Sequence, residues 1–254
     1  MKLKLTIAIL VVLTALRADA QKTFGVNEKL TYEAYYAFVT GAKMTLETKS
    51  ATILGKEYIN IKAYGYTIGL VDKIYKIKEE YQTWADPSNN YLPAKAFENV
   101  HEGSSYSRYI SLQFNHDNNT VVSSKSGSHN VEPNCYDIVS AAYKLRTTDM
   151  TKLTPGQTIR IETFFGEEPW PLVVAYKKTE TIKVGKLGKI KCYEFVPVVE
   201  VSGTFSSKDA LHIWISADEN KIPVRAQMDL MVGSCKVDLV GYENLANDFS
   251  SRIK

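Results

Sequence analysis

Four histidines, His101, His116, His129 and His212, are the first residues to test for metal or proton chemistry. No two stand at a His-x-His or His-x-x-x-His spacing, so no metal pattern is present. His116 reads as a hairpin-turn residue, His129 as part of a polar connection, and His212 as an exposed or edge position between Leu211 and Ile213. His101-Glu102-Gly103 is a charged cluster whose plain reading is a structural turn. The thiols are Cys135, Cys192 and Cys235, and an odd count cannot close into a disulfide framework. Cys135 falls near a helix start, where a thiol pKa is lowered, but no base can be placed beside it. The carboxylate pairs Glu79-Glu80, Glu167-Glu168 and Asp218-Glu219 are adjacent in sequence. On a strand such neighbours face opposite sides, so they do not form an acid–base pair. Gly-x-Ser-x-Gly and Gly-rich phosphate loops are absent. These residues predict no catalytic group, no metal and no cofactor. The most suggestive stretch is Phe164-Phe165-Gly166-Glu167-Glu168-Pro169-Trp170-Pro171. Phe164, Phe165 and Trp170 flank a polar hairpin tip and read either as core at a sheet margin or as a lip over a ligand groove.

Positioning any such groups falls to one helix and many strands. Asn134 to Thr147 predicts the helix, with Asn134 as its cap and Asp137 three positions on. Ile138, Ala141, Ala142 and Leu145 form an apolar stripe that Val139 and Tyr143 widen, while Lys144 and Arg146 occupy the last turn and are expected to point outward or toward the end of the sheet. Elsewhere the chain alternates with period two, as in Leu30, Tyr32, Ala34, Tyr36 and Phe38 against Lys29, Thr31, Glu33 and Tyr35. Ile222 to Val232 alternates most cleanly, and Gly233-Ser234 predicts a two-residue hairpin turn into Cys235, Val237 and Leu239. The pattern breaks at Leu70 to Ile74, flanked by Gly65 and Gly69, which predicts a short helical turn or a crossing. Cys192 and Cys235 share predicted inner faces, so any single bridge is expected between them, with Cys135 free. The polar tail from Asn244 is expected to fray.

The chain opens Met1-Lys2-Leu3-Lys4, runs apolar to Leu16 and reaches Ala18-Asp19-Ala20, the pattern of a secretory signal peptide cleaved before Gln21. Residues 1–20 carry three cations against one anion, so removing them lowers the formal charge from +3 to +1. That balance offers no electrostatic argument for nucleic acid or an anionic surface. No second long apolar run follows, so no transmembrane segment is expected after cleavage.

Glu28-Lys29-Leu30-Thr31-Tyr32-Glu33, Asp72-Lys73-Ile74-Tyr75, Leu92-Pro93, Asn99-Val100-His101-Glu102-Gly103 and the Asp137–Arg146 helix resemble the domain-of-unknown-function 3108 family. So do Pro155-Gly156-Gln157-Thr158, Gly188-Lys189-Ile190-Lys191-Cys192, Trp214-Ile215-Ser216 through Asp218 to Ile222-Pro223-Val224, and Val232-Gly233-Ser234. The likeness spans roughly residues 28–240 in matching order. It implies an exported bacterial protein of a kind common in Bacteroidota, β-rich and periplasmic, with no established activity and no catalytic residues to carry over. A fold-level analogy to lipoprotein carriers, where a half-open sheet wraps helices, is also expected.

The expectation is therefore a mainly β fold. Residues 1–20 form the leader, and residues 21–254 form a single exported domain whose strongly bent antiparallel sheet, barrel-like or spiral, encloses one central α-helix. A non-enzymatic binding or structural role in the envelope follows, with an apolar small molecule or an envelope protein as partner and Phe164, Phe165 and Trp170 as ligand-binding residues. The rivals are a periplasmic hydrolase with unassigned residues and a protein–protein module using a sheet edge.

Overall fold

The computed structural model describes residues 22–198 and 210–253, so the expected leader, residues 1–20, lies outside the described residues. Before the longer helix come β1 (Lys29–Tyr36), β2 (Val39–Ile53), β3 (Lys56–Thr67), the short helix α1 (Gly69–Ile74), β4 (Ile77–Asp86), β5 (Leu92–Glu102), β6 (Tyr106–Asn115), β7 (Thr120–Ser123) and β8 (Gly127–Asn130). Helix α2 (Ile138–Arg146) follows, then β9 (Thr158–Ile161), β10 (Phe164–Phe165), β11 (Glu168–Pro169), β12 (Leu172–Val184) and β13 (Gly188–Pro197). The chain ends with β14 (Leu211–Ser216), β15 (Pro223–Asp229), β16 (Ser234–Glu243) and β17 (Arg252–Ile253).

Among the described residues one antiparallel sheet takes every strand except the β10–β11 hairpin, in the order β8-β7-β6-β5-β4-β3-β2-β1-β16-β15-β14-β13-β12-β9, with β17 paired to β13. Most strands adjacent in sequence are adjacent in the sheet; the exceptions are the β1–β16 pair that joins the two meanders, β9 against β12, and β17 against β13. That topology fits the short turn signals between alternating runs. The terminal strands β8 and β9 do not pair, so the sheet is not closed. Their gap is crossed by other backbone: Tyr136 N donates to Glu162 O and Phe164 N to Tyr136 O, each at 2.8 Å. The β10–β11 hairpin then reaches the opposite edge, where Glu167 accepts hydrogen bonds from Ser123 (2.8 Å) and Ser126.

Helix α2 starts later than the sequence suggested. Its cap is Asp137, whose carboxylate accepts from Val139 N (2.9 Å) and Ser140 N (3.2 Å), while Asp137 N donates to Ser140 Oγ (3.1 Å). This capping box satisfies donors that Asn134, sitting at φ 59° in the preceding turn, cannot reach. Val139 and Tyr143 pack with Phe24, Ile61 and Ala85, and Ala141 and Leu145 pack with Leu92, Ile161, Val174 and Phe195. The helix thus meets both meanders. Ala142, expected in the stripe, is exposed.

Arg146 overturns the expectation for the last turn. It is 1% exposed and forms a bidentate pair with Glu28, itself fully buried, at 2.6 and 2.8 Å. Arg146 Nε and Nη2 also donate to Asn220 O at 3.2 and 3.0 Å, and Tyr143 donates to Glu28 at 3.3 Å. The guanidinium lies 5.0 Å from the Phe24 ring and 4.8 Å from Tyr143. Burial works against its charge, but the Glu28 carboxylate outweighs that and drives its pKa upward. The knot ties β1, α2 and the β14–β15 turn together.

The tail is also held, not frayed. Asn247 N donates to Asn220 Oδ1 (2.9 Å), Ser251 Oγ donates to Asp218 (2.8 Å), and β17 adds to β13. At the β15–β16 hairpin the antiparallel pairing is as expected, but the turn is longer. Asp229 faces Ser234, Leu230 N donates to Gly233 O at 3.1 Å, and residues 230–233 form the loop. Gly233, at φ 73°, supplies the positive φ that closes it.

Candidate functional site

The groups with chemical potential are mostly paired within the protein. His116 Nε2 lies 2.7 Å from Pro93 O, His129 Nε2 2.7 Å from Ser126 Oγ, and His212 Nδ1 2.8 Å from Glu194. His212 also stacks on Trp214, so it is part of a packed polar cluster and not the plain edge position that alternation suggested. His101 faces Lys78 across β4–β5, beside a turn in which Gly103 N donates to Lys76 O at 2.7 Å. Glu80 pairs with Lys62 at 2.8 Å, and Asp218 accepts from Ser216 and Ser251. Burial, with Glu102 beside it, raises the Glu79 pKa. Among the described residues no cluster of three or more His, Cys, Asp or Glu side chains is placed to hold a metal ion, and no helix is long and apolar enough to cross a membrane.

All three cysteines are free, so the conditional Cys192–Cys235 bridge is absent. Cys192 belongs to the core formed by Leu30, Tyr32, Ile190 and Leu239, whereas Cys235 lies at a strand end. Cys135 is not activated: burial, with Glu162 and Asp137 nearby, pushes its thiol up to about 12. Burial likewise pushes Cys192 up to about 12. A native thiol titration should therefore find one slowly reacting group, Cys235, and a denatured titration should find three. Two fewer thiols in denaturant would reveal a bridge.

Phe164 is buried with Ile110, Leu112, Val121 and Cys135, and its ring lies 5.0 Å from His129. Phe165 is half-buried, and Trp170 is 40% exposed with its ring 6.2 Å from that of Phe165. Of the expected lip, one residue is therefore core and two stand on the hairpin.

Two clefts contrast. The larger, about 700 Å³, is lined by Lys56, Asp86, Asn89, Gln113, His116 and neighbouring polar residues. Two of its charges are matched to each other: Lys56 meets Asp86 at 2.6 Å, and Ser88 donates to the same carboxylate, while Asp117 on its wall is exposed. The second, about 430 Å³, lies at the opposite strand ends, between β1, β2, α1 and the start of β16. Ala34, Ala42 and Gly41 form its floor, Tyr36, Val39, Val71 and Cys235 its sides, and Thr67 is its polar neighbour. Thr67 is itself engaged, donating to Asp72 at 3.0 Å and accepting from Ile77 N at 2.9 Å. The register explains the floor, because Ala34 pairs with Ala42 and Ala42 with Thr67, three small side chains in a row. Gly41 lets α1 approach: a Cβ there would stand 2.9 Å from Val71 Cγ2.

Sequence reasoning missed this cleft. Its signals were the small residues Ala34, Gly41 and Ala42 where neighbouring strand positions carry Tyr or Met, and an α1 segment whose Leu70 and Ile74 have nothing to bury against.

Among solved structures, a β-barrel-like protein of the DUF1849 domain of unknown function from Brucella abortus superimposes with a TM-score of 0.54 at 11% identity, covering 86% of this chain and 97% of its own. That is a likeness of fold. A DUF1089 family protein from Pseudomonas aeruginosa gives 0.41 at 12% identity over 73% and 89% of the two chains. A Bacteroides fragilis protein, described as a candidate exported protein with a YmcC-like fold, gives 0.33 at 11% over 87% and 97%. These two overlay too loosely to bear on the argument. No curated protein matches the sequence. The family model "Protein of unknown function (DUF3108)" matches residues 31–240, over the segments that pointed to it, and the chain belongs to that family.

Proposed function

We propose that this is an exported, non-enzymatic envelope protein that holds an apolar small molecule in the cleft between β1, β2 and α1. The observation that carries the reading is a concavity of about 430 Å³ whose lining is apolar apart from Thr67 and the Tyr35 and Tyr36 hydroxyls. Its size falls in the range of small-molecule sites. The rival enzymatic reading has little support, since the polar cleft's Lys56, Asp86 and His116 have internal partners and Asp117 alone makes no acid–base pair. The leader pattern supports export, with the periplasm as destination. In this reading the sheet wraps α2, and the helix with its buried knot fills the middle, which leaves the strand ends as the place for a ligand. Phe165 and Trp170, on the hairpin braced by Phe164, are assigned a secondary contact with apolar material.

A fluorescent fatty acid tests it. Saturable binding is expected, and Ala42→Phe, which fills the floor, should weaken it by at least about tenfold. On the wild-type protein, saturating probe should also slow maleimide labelling of Cys235. No saturable binding, or equal binding by Ala42→Phe with Cys235 labelling unchanged, would refute the assignment.

A further inference from the structure

The strand ends around the apolar cleft differ from the opposite ends in a way the cleft alone does not explain. Phe38, at the β1–β2 tip, is 102% exposed, and Met231, at the β15–β16 tip, is 86% exposed. Leu70 and Ile74 of α1 are largely exposed too, and α1 buries none of its residues. These protrusions form one continuous rim. Tyr36 OH donates to Val232 O at 2.7 Å, joining the β15–β16 tip to β1. Ile68 N donates to Gly41 O at 2.8 Å, joining α1 to β2. Tyr75 lies against Gly103, joining α1 to the β5–β6 tip, where Tyr106 is exposed. The opposite tips carry Pro87-Ser88-Asn89-Asn90 and His116-Asp117-Asn118-Asn119, and the β2–β3 turn there carries the exposed Leu54.

Among the described residues of the rim, exposed charge has one sign. Within residues 36–41, 68–76, 103–106 and 230–234 the exposed charged side chains are Lys73 and Lys76. The carboxylate of these stretches, Asp72, is half-buried and accepts from Thr67. We propose that this rim docks the protein on a bilayer carrying anionic headgroups, with Phe38, Met231 and Ile74 entering the interface and Lys73 and Lys76 meeting lipid phosphates. Apolar side chains on separate narrow tips suit insertion between headgroups, and flanking lysines add attraction to anionic lipid. A protein partner would instead favour a contiguous packed patch with an apolar core and polar rim. The docking does not depend on a loaded cleft, but it would place the cleft mouth against the source of an apolar ligand.

Co-sedimentation with phosphatidylcholine vesicles, with and without phosphatidylglycerol, tests it on soluble protein expressed from the full-length sequence. Binding is expected only where phosphatidylglycerol is present, and it should fall as salt rises. Phe38→Ser with Met231→Ser should weaken it at least about tenfold, and Lys73→Gln with Lys76→Gln should remove the preference for phosphatidylglycerol. Leu54→Ser, equally exposed at the far end, should bind as wild type, and thermal melts check that each variant is folded. Ala42→Phe should still bind vesicles, so loss of ligand binding and loss of docking are separable. The proposal is overturned by failure to bind any vesicle, by equal binding with and without phosphatidylglycerol, or by binding that the rim substitutions leave unchanged.

Discussion

Replacing Arg146 with methionine is expected to cost about 3–5 kcal/mol of stability. The cost comes less from lost attraction than from what remains. Glu28 is fully buried, and without Arg146 the partners of its carboxylate among the described hydrogen bonds and ion pairs reduce to Tyr143 at 3.3 Å and no cation. Asn220 O would also lose two donors, at 3.2 and 3.0 Å. Glu28→Gln should be costly for the converse reason, because it leaves a guanidinium enclosed by Phe24 and Tyr143 with no counter-charge. Glu28→Met combined with Arg146→Met should recover much of the loss, since an apolar pair leaves no orphaned charge. Urea melts of Glu28→Met, Arg146→Met and the double variant give the coupling. Simple additivity would mean that the pair does not act as a unit.

Leu145→Ala is expected to cost about 2–5 kcal/mol, since the side chain is buried among Leu92, Ile161, Val174 and Phe195 and its removal leaves a cavity. Lys144→Ala, one residue earlier, should stay within about 0.5 kcal/mol. Lys144 is only half-buried, and its contact is a 3.5 Å hydrogen bond to Asn90. The comparison separates packing from helix propensity, because both changes install alanine in the last turn of the same helix. Equal, small effects would place α2 outside the core.

These two residues, with Arg146 beside them, also show what alternation and capping rules can read. Leu145 was legible because helical spacing depends on neighbours within two turns. Arg146 was not, because its partner stands 118 residues away and dipole reasoning turns any last-turn cation outward. The helix cap was misplaced because Asn134 and Asp137 are both cap residues by type. Only the Ser140 reply to Asp137 decides between them.

Most strands were legible as strands, and the β15–β16 pairing with them, but β8 was not: Gly127–Asn130 lacks apolar alternation and read as a polar connection, whereas His129 pairs with Val121 in the sheet. The β15–β16 turn was misjudged because apolar alternation runs on past Asp229 through Leu230 and Val232, so residues at an exposed tip looked like the end of a core strand. The same ambiguity hid the rim, since Phe38 and Val232 obey the strand pattern and yet stand in solvent. The tail looked ready to fray because its anchors, Asn220 and Asp218, lie in a distant turn. The aromatic stretch 164–170 drew attention by composition, but composition could not tell that Phe164 turns inward to the core while Trp170 stays out.

The segments that pointed to the family fall largely at two places. Glu28, Arg146 and Asn220 meet in the buried knot, while Asp72 to Tyr75, Gly103 and Val232-Gly233-Ser234 lie along the apolar rim. The first place explains how the two meanders are joined. The second surrounds the proposed ligand cleft.

Native mass spectrometry of protein recovered from the periplasm, the destination proposed for it, followed by organic extraction, tests ligand carriage most directly. An added apolar mass is expected on the wild-type chain, released on unfolding and missing from Ala42→Phe. Only the bare chain mass from the wild-type protein, or the same added mass on both proteins, would contradict it.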